Sequence, residues 1–450
     1  MKISLIIPFF FIIVIACSFD KRTGIWEDAE VVNEKLNQKE LKDKKFESVF
    51  KVDNSYQKEK EVNPKSIVKI KAPLINKNWP QENFNNKNNI SNIYFSNNQN
   101  LIFKSQKLSK SLDFKSIYFY KDNIVSHDHK GTIFVYSLQS KKKILEYNFY
   151  RKKFKKYKKK IYLLIKDEII YAADNLGYVY SIDINKNKII WAKNFGIPFR
   201  SNIKIVKDNL ILANQDNLVI SIDKFNGEKK WEFSSSLTFL KTNFENSILI
   251  DEKDNTLFFL NTSGELFSIN YLTKKINWVL NFKNPSTSGS DLFKGLPLVL
   301  ENNNLIIHTG NTISNYDSFS GERKWVKYIP INIKTVLTKT NIFLISNNNF
   351  LICLDLSSGN VVWSKNIIEQ IKNFDKKKLI SKLGFFKNVQ IVDNKIFLFS
   401  AKGFLLTFSL KNGNIIDLIK ISKKGILSKP IFASGFMFVL NKQNKLLKFN

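Results

Sequence analysis

Three consecutive residues, His127, Asp128 and His129, have side chains that could ligate a metal ion. Imidazole and carboxylate groups are common Zn²⁺ ligands, but a site needs at least three of them, and no third ligand is evident near this pair. The two histidines also share a face only where the strand is regular. We therefore interpret these residues as the turn before Lys130 and Gly131. The chain carries no nucleophile elbow, phosphate-binding loop or zinc motif, so we expect no enzyme, cofactor or metal site.

Cys17 is the first of two cysteines and ends a targeting segment. Lys2 precedes the apolar stretch 3–15, which is too short to span a bilayer comfortably and is typical of a cleaved signal. Val14-Ile15-Ala16-Cys17 forms a lipobox. We predict a lipoprotein signal peptide over residues 1–16 and lipidation of Cys17, which would anchor the chain stably in a membrane. An ordinary secretory signal with an incidental Cys17 is the alternative.

The second cysteine, Cys353, lies between Ile352 and Leu354 in an apolar run. With Cys17 lipidated, Cys353 has no cysteine left to pair with in the mature chain. An apolar strand favours a buried cysteine that behaves as a small apolar side chain over a catalytic thiol.

The formal net charge of +32 suggests an acidic partner, but the composition of the basic residues argues against nucleic acid as that partner. Only four of the 71 basic residues are arginine, and the other 67 are lysine, whereas base-edge recognition and forked, bidentate phosphate recognition favour arginine. The densest basic run covers residues 151–160, with eight lysines or arginines in ten positions. It is interpreted either as a solvated loop or as a contact for anionic head groups or an acidic partner.

A sequence repeat, which we call the repeated phrase, dominates the chain from residue 138 on, rather than any catalytic motif. A strand-like run ends in Asp, Asn or Ser, a turn follows four residues later, and an aromatic residue or its substitute follows eight residues later. Tryptophan fills this last position in five copies, at Trp191, Trp231, Trp278, Trp325 and Trp363. We expect these side chains to be buried between adjacent sheets, where a large flat ring contributes most to stability.

The spacing of the copies defines the architecture. The Asp-equivalent positions 139, 183, 223, 270, 317, 355 and 409 are separated by 44, 40, 47, 47, 38 and 54 residues. Units of about 40–47 residues are the size of a four-stranded propeller blade. The runs are rich in Ile, Phe, Val and Tyr and lack helical periodicity, which favours an all-β fold.

An eighth unit lacks its last strand before Asn450, and the segment 101–105 has the character to supply it, with Phe103 in the tryptophan position. Such a closure removes the exposed edge of the sheet. We predict an eight-bladed β-propeller over residues 79–450, closed by an N-terminal strand. Seven blades is the competing count. Residues 17–78, rich in Lys, Glu and Asn, are expected to form a lipidated flexible tether.

The repeated phrase resembles the pyrroloquinoline-quinone-type (PQQ-like) propeller repeat. Together with the lipobox, the Trp79-Pro80-Gln81 opening and the long insertion 284–297, it closely resembles the BamB family of outer-membrane assembly lipoproteins. The resemblance covers most of residues 79–450. It implies a periplasmic scaffold that is lipid-anchored in the outer membrane, binds a BamA-like barrel-inserting protein and helps to deliver unfolded outer-membrane proteins.

The same resemblance suggests where such a partner binds. In BamB-like chains an apolar-Arg segment after one blade tryptophan contacts the partner, and the nearest match here is Phe199-Arg200. An aromatic beside an arginine is also a common interface hot spot. Asp291, in the insertion, is the second candidate. The Arg200 segment is shorter than in the family, and the insertion keeps a single acid where relatives often have more.

Two other functions stay open from the sequence. The chain could be a propeller lipoprotein that binds a different protein partner. A quinone-dependent dehydrogenase would share the repeat, but it needs Ca²⁺ ligands at the propeller centre and commonly a vicinal disulfide. Adjacent cysteines are absent from this chain.

Overall fold

The computed structural model describes residues 17–19, 26–28, 55–62, 68–96, 98–109, 116–152, 154–235, 243–283, 293, 295–374 and 377–450. The predicted signal peptide, residues 1–16, lies outside the described residues. The chain divides into two units, Met1–Asp53 and Asn54–Asn450. In the first unit, strand β1 (Cys17–Phe19) pairs antiparallel with β2 (Trp26–Asp28).

The second unit contains eight four-stranded antiparallel sheets. The strands of its first half are β3 (Leu101–Lys107), β4 (Ile117–Tyr120), β5 (Asn123–His127), β6 (Thr132–Ser137), β7 (Lys142–Asn148), β8 (Ile161–Lys166), β9 (Ile169–Asp174), β10 (Tyr178–Asp183), β11 (Lys188–Asn194), β12 (Lys204–Val206), β13 (Asn209–Ala213), β14 (Leu218–Asp223), β15 (Lys229–Ser234), β16 (Ser247–Asp251), β17 (Thr256–Leu260), β18 (Glu265–Asn270) and β19 (Ile276–Asn281). The strands of its second half are β20 (Val299–Glu301), β21 (Asn304–Thr309), β22 (Thr312–Asp317), β23 (Arg323–Tyr328), β24 (Val336–Leu337), β25 (Asn341–Ile345), β26 (Phe350–Asp355), β27 (Val361–Asn366), β28 (Phe386–Val392), β29 (Lys395–Ser400), β30 (Phe404–Ser409), β31 (Ile415–Lys420), β32 (Ile431–Ala433), β33 (Phe436–Leu440) and β34 (Lys445–Phe449).

Burial separates the inner from the outer strands of each blade. The first strand of a blade is almost wholly buried, as in β8, and the second and third strands are buried continuous runs, as in β17. The fourth strand alternates or is largely exposed, as in β15, except for β27, which is mostly buried. The first strands of several neighbouring blades also lie against one another. First strands therefore surround the axis and fourth strands form the rim, and the predicted all-β, eight-bladed propeller is confirmed.

The ring is closed by the N-terminal strand that the sequence indicated. Strand β3 pairs antiparallel with β34, with Leu101 opposite Phe449 and Phe103 opposite Lys448. The Phe103 ring lies 6.4 Å from that of Tyr136 in the first blade. The last blade thus takes its outermost strand from the beginning of the propeller, and no blade edge is left open at the junction.

Two short helices, α1 (Ile367–Asn373) and α2 (Ile380–Leu383), occupy the long connection between β27 and β28. The Asn366 side chain caps α1 by accepting from the N–H groups of Ile368 and Glu369. These helices were not predicted; they lie within the longest interval of the repeat, the 54 residues between positions 355 and 409. Two 3₁₀ turns, Ser55–Gln57 and Lys377–Leu379, complete the regular structure of the described part. No helix among the described residues has the length and apolar character needed to cross a bilayer.

Part of the expected tether packs against the propeller. Tyr56 is 2% exposed, and its carbonyl accepts a hydrogen bond from the Ser364 hydroxyl at 2.7 Å. The backbone of Lys60 pairs with that of Ser364, and the Lys71 ammonium lies 2.7 Å from a Glu301 carboxylate oxygen. Within the described residues, contacts with the propeller are therefore already present at Tyr56, before the expected start of the propeller at residue 79.

Candidate functional site

In four of the repeats the outer turn forms a dock for the tryptophan of the preceding blade, at Gly227, Gly321, Gly359 and Gly413. In one such turn, Asp223 accepts hydrogen bonds from the N–H groups of Phe225 and Asn226 at 2.8 and 3.3 Å. Gly227 follows at φ +75°, and an added Cβ would lie 2.4 Å from the Trp191 ring. The Trp191 indole N–H donates to the Lys224 carbonyl at 3.0 Å. The Asp of the repeated phrase shapes the turn, and its Gly leaves room for the ring.

The same dock recurs around the rim, with Trp278 on Gly321, Trp325 on Gly359 and Trp363 on Gly413. Trp363 is the most buried, at 0% exposure, because α1 covers this dock and Gln370 bonds to Gly413 and Ile415. Trp231 lacks a facing glycine: the corresponding turn position in the next blade is Lys274, at φ +65°. Trp231 is half-buried, as is Trp278.

A second repeated turn, between the second and third strands, was largely missed by the sequence analysis. An Asp or Asn side chain there accepts from the N–H groups two and four residues on; the residues are Asp128, Asp174, Asn214, Asn261 and Asn441. Its signal is the recurrence of a short polar cluster ending in Gly or Asn. Asp128 and His129 lie in such a turn, as interpreted from the sequence, whereas His127 ends strand β5.

Burial disfavours charge on two groups near these turns. It lowers the pKa of His127 to about 4 and raises the pKa of Asp174 to about 7. His127 is therefore neutral near pH 7. Among the described residues, no cluster of three or more His, Cys, Asp and Glu could hold a metal ion.

The axis of the propeller is occupied by an N-terminal segment, residues 76–96, which we call the channel segment. It contacts the inner strands in the order of the blades: Trp79 pairs with Phe119 and Gln81 with Leu164. Further along, the Asn86 amide donates to the Ile205 carbonyl at 2.8 Å, the Lys87 carbonyl accepts from the Leu300 N–H, and Ile93 pairs with Val392. The Asn76 amide donates to the Phe432 carbonyl in the last blade at 2.6 Å.

Buried amides hold the channel segment in place. Asn88 donates to the carbonyls of Ile248 and Leu298 at 3.2 and 3.0 Å, and Asn89 donates to that of Leu337 at 3.1 Å. The Lys204 ammonium, from strand β12, donates to the Asn88 side chain at 2.6 Å. Burial lowers the pKa of Lys204 to about 7. Since buried polar groups are costly unless hydrogen-bonded, these contacts fix one path for the segment.

One cavity, of about 730 Å³, opens beside the channel segment and is lined in part by Ile333, Phe386 and Leu427. At its edge the Lys429 ammonium lies 3.1 Å from a Glu82 carboxylate oxygen. Burial alone would raise the pKa of Glu82, but the attraction of Lys429 outweighs it and holds that pKa below its ordinary value. A paired carboxylate between apolar walls can bind a ligand but offers no nucleophile held by a base.

The structure places the sequence-predicted partner residues in different environments. Phe199 is fully buried in the core of its blade, so the expectation of an exposed aromatic hot spot there is corrected. Arg200 is 8% exposed, and its guanidinium donates to Gln215 and Asn243 at 3.2 Å each. Asp291 lies outside the described residues. The backbone of Cys17 lies in β1, and its side chain is outside the described part of the structure.

Cys353 is fully buried, as expected, and the Asn341 amide lies 3.5 Å from its sulfur. Burial raises the pKa of the thiol, so the reactive thiolate is disfavoured.

Comparisons with known proteins agree with this architecture. Residues 151–365 match the family model described as "Outer membrane protein assembly factor BamB". No curated protein matches the chain in sequence. BamB from Moraxella catarrhalis is similar in structure, with a TM-score of 0.61 and 11% identity, over 78% of this chain and 99% of that one.

Other propellers share the fold. The computationally designed protein Ika8 aligns with a TM-score of 0.56 and 12% identity, over 77% of this chain and 98% of its own. The quinohemoprotein alcohol dehydrogenase from Comamonas testosteroni aligns with a TM-score of 0.59 and 9% identity, over 83% of this chain and 80% of its own. At these identities the structural likenesses establish the fold alone.

The polar side chains described at the axis of this chain bind to the propeller itself or to one another. In this chain Asn88, Asn89 and their neighbours occupy the space between the inner strands. Glu82, the carboxylate beside the cavity, is already paired with Lys429. Residues 151–365 match the BamB family model, and the eight-bladed ring is similar in fold to BamB from Moraxella catarrhalis.

Proposed function

We propose that this chain is a non-catalytic scaffold lipoprotein of the outer-membrane β-barrel assembly machinery. It would bind the periplasmic domains of a BamA-like barrel-inserting protein and help to deliver and insert unfolded outer-membrane proteins. The observation that carries the proposal is the match of residues 151–365 to the outer-membrane assembly factor family.

The contents of the propeller axis support a scaffold over an enzyme. A dehydrogenase of this fold needs room and metal ligands at the axis. Here the channel segment is tied to the first strands of all eight blades by backbone and amide hydrogen bonds, through residues such as Trp79, Asn86 and Asn88. Because its own chain fills the axis of the rigid ring, a protein partner would bind to the outer surfaces of the propeller.

Arg200 is the partner-binding residue that this proposal retains. It belongs to the connection between the fourth strand of one blade and the first strand of the next, and the insertion that contains Asp291 is the corresponding connection two blades later. The guanidinium holds Gln215 and Asn243 together at the surface of this face. Arg200 would act through the exposed edge of this cluster, while Phe199 supports it from below.

A pull-down from detergent-solubilised membranes tests both the function and the site. The bait carries a C-terminal tag on a flexible linker and is compared with Arg200→Gln and with Arg323→Gln, which changes an exposed rim arginine. Recovery of the barrel-inserting protein by wild type and Arg323→Gln, but at least tenfold less by Arg200→Gln, is the expected result. Thermal melts of all three baits show whether Arg200→Gln remains folded.

Other outcomes correct the proposal at different levels. Recovery that survives Arg200→Gln keeps the function and moves the site elsewhere. Recovery of some other envelope protein in place of the barrel inserter identifies a propeller lipoprotein with a different partner.

The proposed location is the periplasmic face of the outer membrane, with the lipid on Cys17 as the anchor. Replacing the sulfur that would carry the lipid, in Cys17→Ser, should move the protein from the outer-membrane fraction to the soluble periplasmic fraction. Mass spectrometry of the mature N-terminus checks the lipid directly. An unmodified Cys17 sulfur would support the ordinary secretory signal instead.

A further inference from the structure

The connection between β7 and β8, residues 150–160, forms a basic loop that the scaffold function does not use. It contains no acidic residue. Its exposed cations among the described residues are Arg151, Lys152, Lys155, Lys156, Lys158 and Lys160. Two aromatic side chains are exposed among them, Phe154 at 42% and Tyr157 at 62%. An exposed apolar patch rimmed by charged residues is typical of a surface that binds a partner or a membrane.

Buried contacts fix the shape of the basic loop at both ends. Tyr150 is 2% exposed and donates its hydroxyl to Asp174. Lys159 is 5% exposed, and its ammonium lies 5.1 Å from the centre of the Tyr150 ring and bonds the Phe154 carbonyl. An added Cβ on Gly131 would lie 2.6 Å from the Tyr150 ring. The blade therefore packs closely around the base of the loop, which a merely solvated connection would not require.

An aromatic-walled cavity of about 380 Å³ opens at the base of the loop. Its walls include Phe149, Tyr150, Phe154 and Tyr178, and the Phe149 ring stacks on Tyr180 at 4.7 Å. Arg151 and Lys152 also line it. Apolar walls beside cationic side chains suit an amphipathic anion, with its charge at the rim and its apolar part inside.

We propose that the basic loop binds the surface of a bilayer containing anionic phospholipid. Lysine ammoniums meet the phosphate groups, while Phe154 and Tyr157 enter the head-group region, where aromatic side chains are favoured. An acidic protein would be the other anionic partner, but forked recognition of protein carboxylates favours arginine, and five of these six cations are lysine. An anionic bilayer fits the loop because its negative charge is dispersed over its surface and its interior is apolar.

Vesicle co-sedimentation tests the proposal with the full chain carrying Cys17→Ser, so that no attached lipid contributes. Phosphatidylcholine vesicles with and without phosphatidylglycerol are the probes. The triple variant Lys155→Gln, Lys156→Gln, Lys158→Gln should bind the anionic vesicles about a hundredfold more weakly, since each cation near a charged membrane contributes roughly a fivefold factor. Phe154→Asn with Tyr157→Asn should weaken binding about tenfold, and Asn tolerates the left-handed backbone of residue 154.

A control triple, Lys188→Gln, Lys275→Gln, Lys411→Gln, removes the same charge from exposed positions in or beside the outer turns. Its binding should stay within about twofold of the parent. Equal losses in the two triples would overturn the proposal, because only net charge would then matter. Binding abolished by free glycerol phosphate would also overturn it in favour of a small-anion site.

The proposal is independent of the scaffold function, and one measurement separates the two. The loop triple should still recover the barrel-inserting protein in the detergent pull-down, since detergent removes the bilayer. Loss of that recovery together with intact vesicle binding would overturn the lipid assignment and make the loop a protein contact.

Discussion

The tryptophan docks at the rim and the channel segment at the axis both hold neighbouring blades together, by opposite chemistry. At the rim, Trp363 is fully buried and lies against Gly413, so the contact is apolar and close. At the axis, Asn88 bonds the carbonyls of Ile248 and Leu298, from first strands of two adjacent blades. Apolar contacts stabilise through area removed from water, whereas buried amides stabilise by satisfying groups that would otherwise be costly.

The difference follows from symmetry. Each blade meets the next in the same geometry, so one Trp-Gly contact can be repeated around the rim. The channel segment passes through the ring once, and each of its residues faces a different blade. Consequently the docks are periodic in the sequence and the channel segment is not.

Replacement of Trp363 by alanine is expected to have the largest effect. The ring is 0% exposed and packs in one cluster with Ile367 and Ile371 of α1. Removing a buried tryptophan costs about 3–5 kcal/mol of the free energy of unfolding. Urea denaturation monitored by circular dichroism measures the loss.

Trp231→Ala is the matched control, because Trp231 is half-buried and faces Lys274 instead of a glycine. We expect a loss of about half that size. Equal losses would show that the glycine and the helical cover add nothing to the dock.

At the axis, Asn88→Ala should destabilise the propeller by about 2–4 kcal/mol. The change removes the donor to two carbonyls and one acceptor of the buried Lys204 ammonium. Buried groups left unsatisfied cost about 1–3 kcal/mol each, and more when charged. Denaturation at pH 7 measures the loss.

Two further variants show whether the axis acts through these bonds. Asn85→Ala removes contacts within the segment, to the carbonyl and N–H of Asn89, and should cost about 1 kcal/mol. In a double-mutant cycle of Asn88→Ala with Lys204→Met, the losses should be clearly less than additive, since each change removes the same bond. Additive losses would contradict the bonding that we describe.

The contrast between the periodic rim docks and the non-periodic channel segment also determines which features the sequence could predict. The repeat predicted eight blades, the closing strand and the burial of Cys353, because each depends on periodicity or on a local apolar run. The position of residues 79–93 at the axis could not be predicted, since an Asn-rich segment has the composition of a surface loop. The buried position of Asn88 depends on contacts with strands more than 150 residues away in sequence.

The burial of Phe199 could not be predicted for a related reason. Phe199-Arg200 follows a blade tryptophan and has the composition of an interface hot spot, but the Phe199 backbone pairs with Asn214 in the next blade. That pairing turns its side chain into the core, at 0% exposure. Composition indicates what a residue can bind, and only the register of the neighbouring blade decides which way it faces.

A smaller effect tests the glycine side of the dock. In Gly413→Ala the new Cβ would lie 2.4 Å from the Trp363 ring, at φ +72°. Steric strain in this backbone region and overpacking each cost about 1–2 kcal/mol, for a total of roughly 2–4 kcal/mol before the ring relaxes, and about 2 kcal/mol after it. Gly310→Ala, at φ +55° with nothing within 4 Å, isolates the backbone cost of about 1 kcal/mol. If thermal melts show equal losses of stability for the two variants, contact with the Trp363 ring does not contribute to the cost of Gly413→Ala.

The smallest effect distinguishes two carboxylates by the sign of their pH dependence. Burial raises the pKa of Asp174 to about 7, against an ordinary value of about 3.9 in the unfolded chain. The folded state therefore binds the proton more tightly, and the free energy of unfolding falls as the pH rises from about 4 to about 7. Asp174→Asn keeps the oxygen that accepts from Leu176 and Tyr178 but does not titrate. The variant should match wild type near pH 4 and exceed its stability by about 1–3 kcal/mol near pH 8.

Asp223, in an outer turn of the rim, should behave in the opposite way. Slight burial would raise its pKa, but hydrogen bonds from Phe225 and Asn226 and the Lys230 ammonium prevail and lower it. Its stabilisation is present at neutral pH and is lost as the pH falls through the folded-state pKa. Asp223→Asn should therefore be less stable than wild type at pH 7 and converge with it in acid. Urea titrations of both variants across this range measure the two signs, and a common sign would show that burial, not the turn, governs both carboxylates.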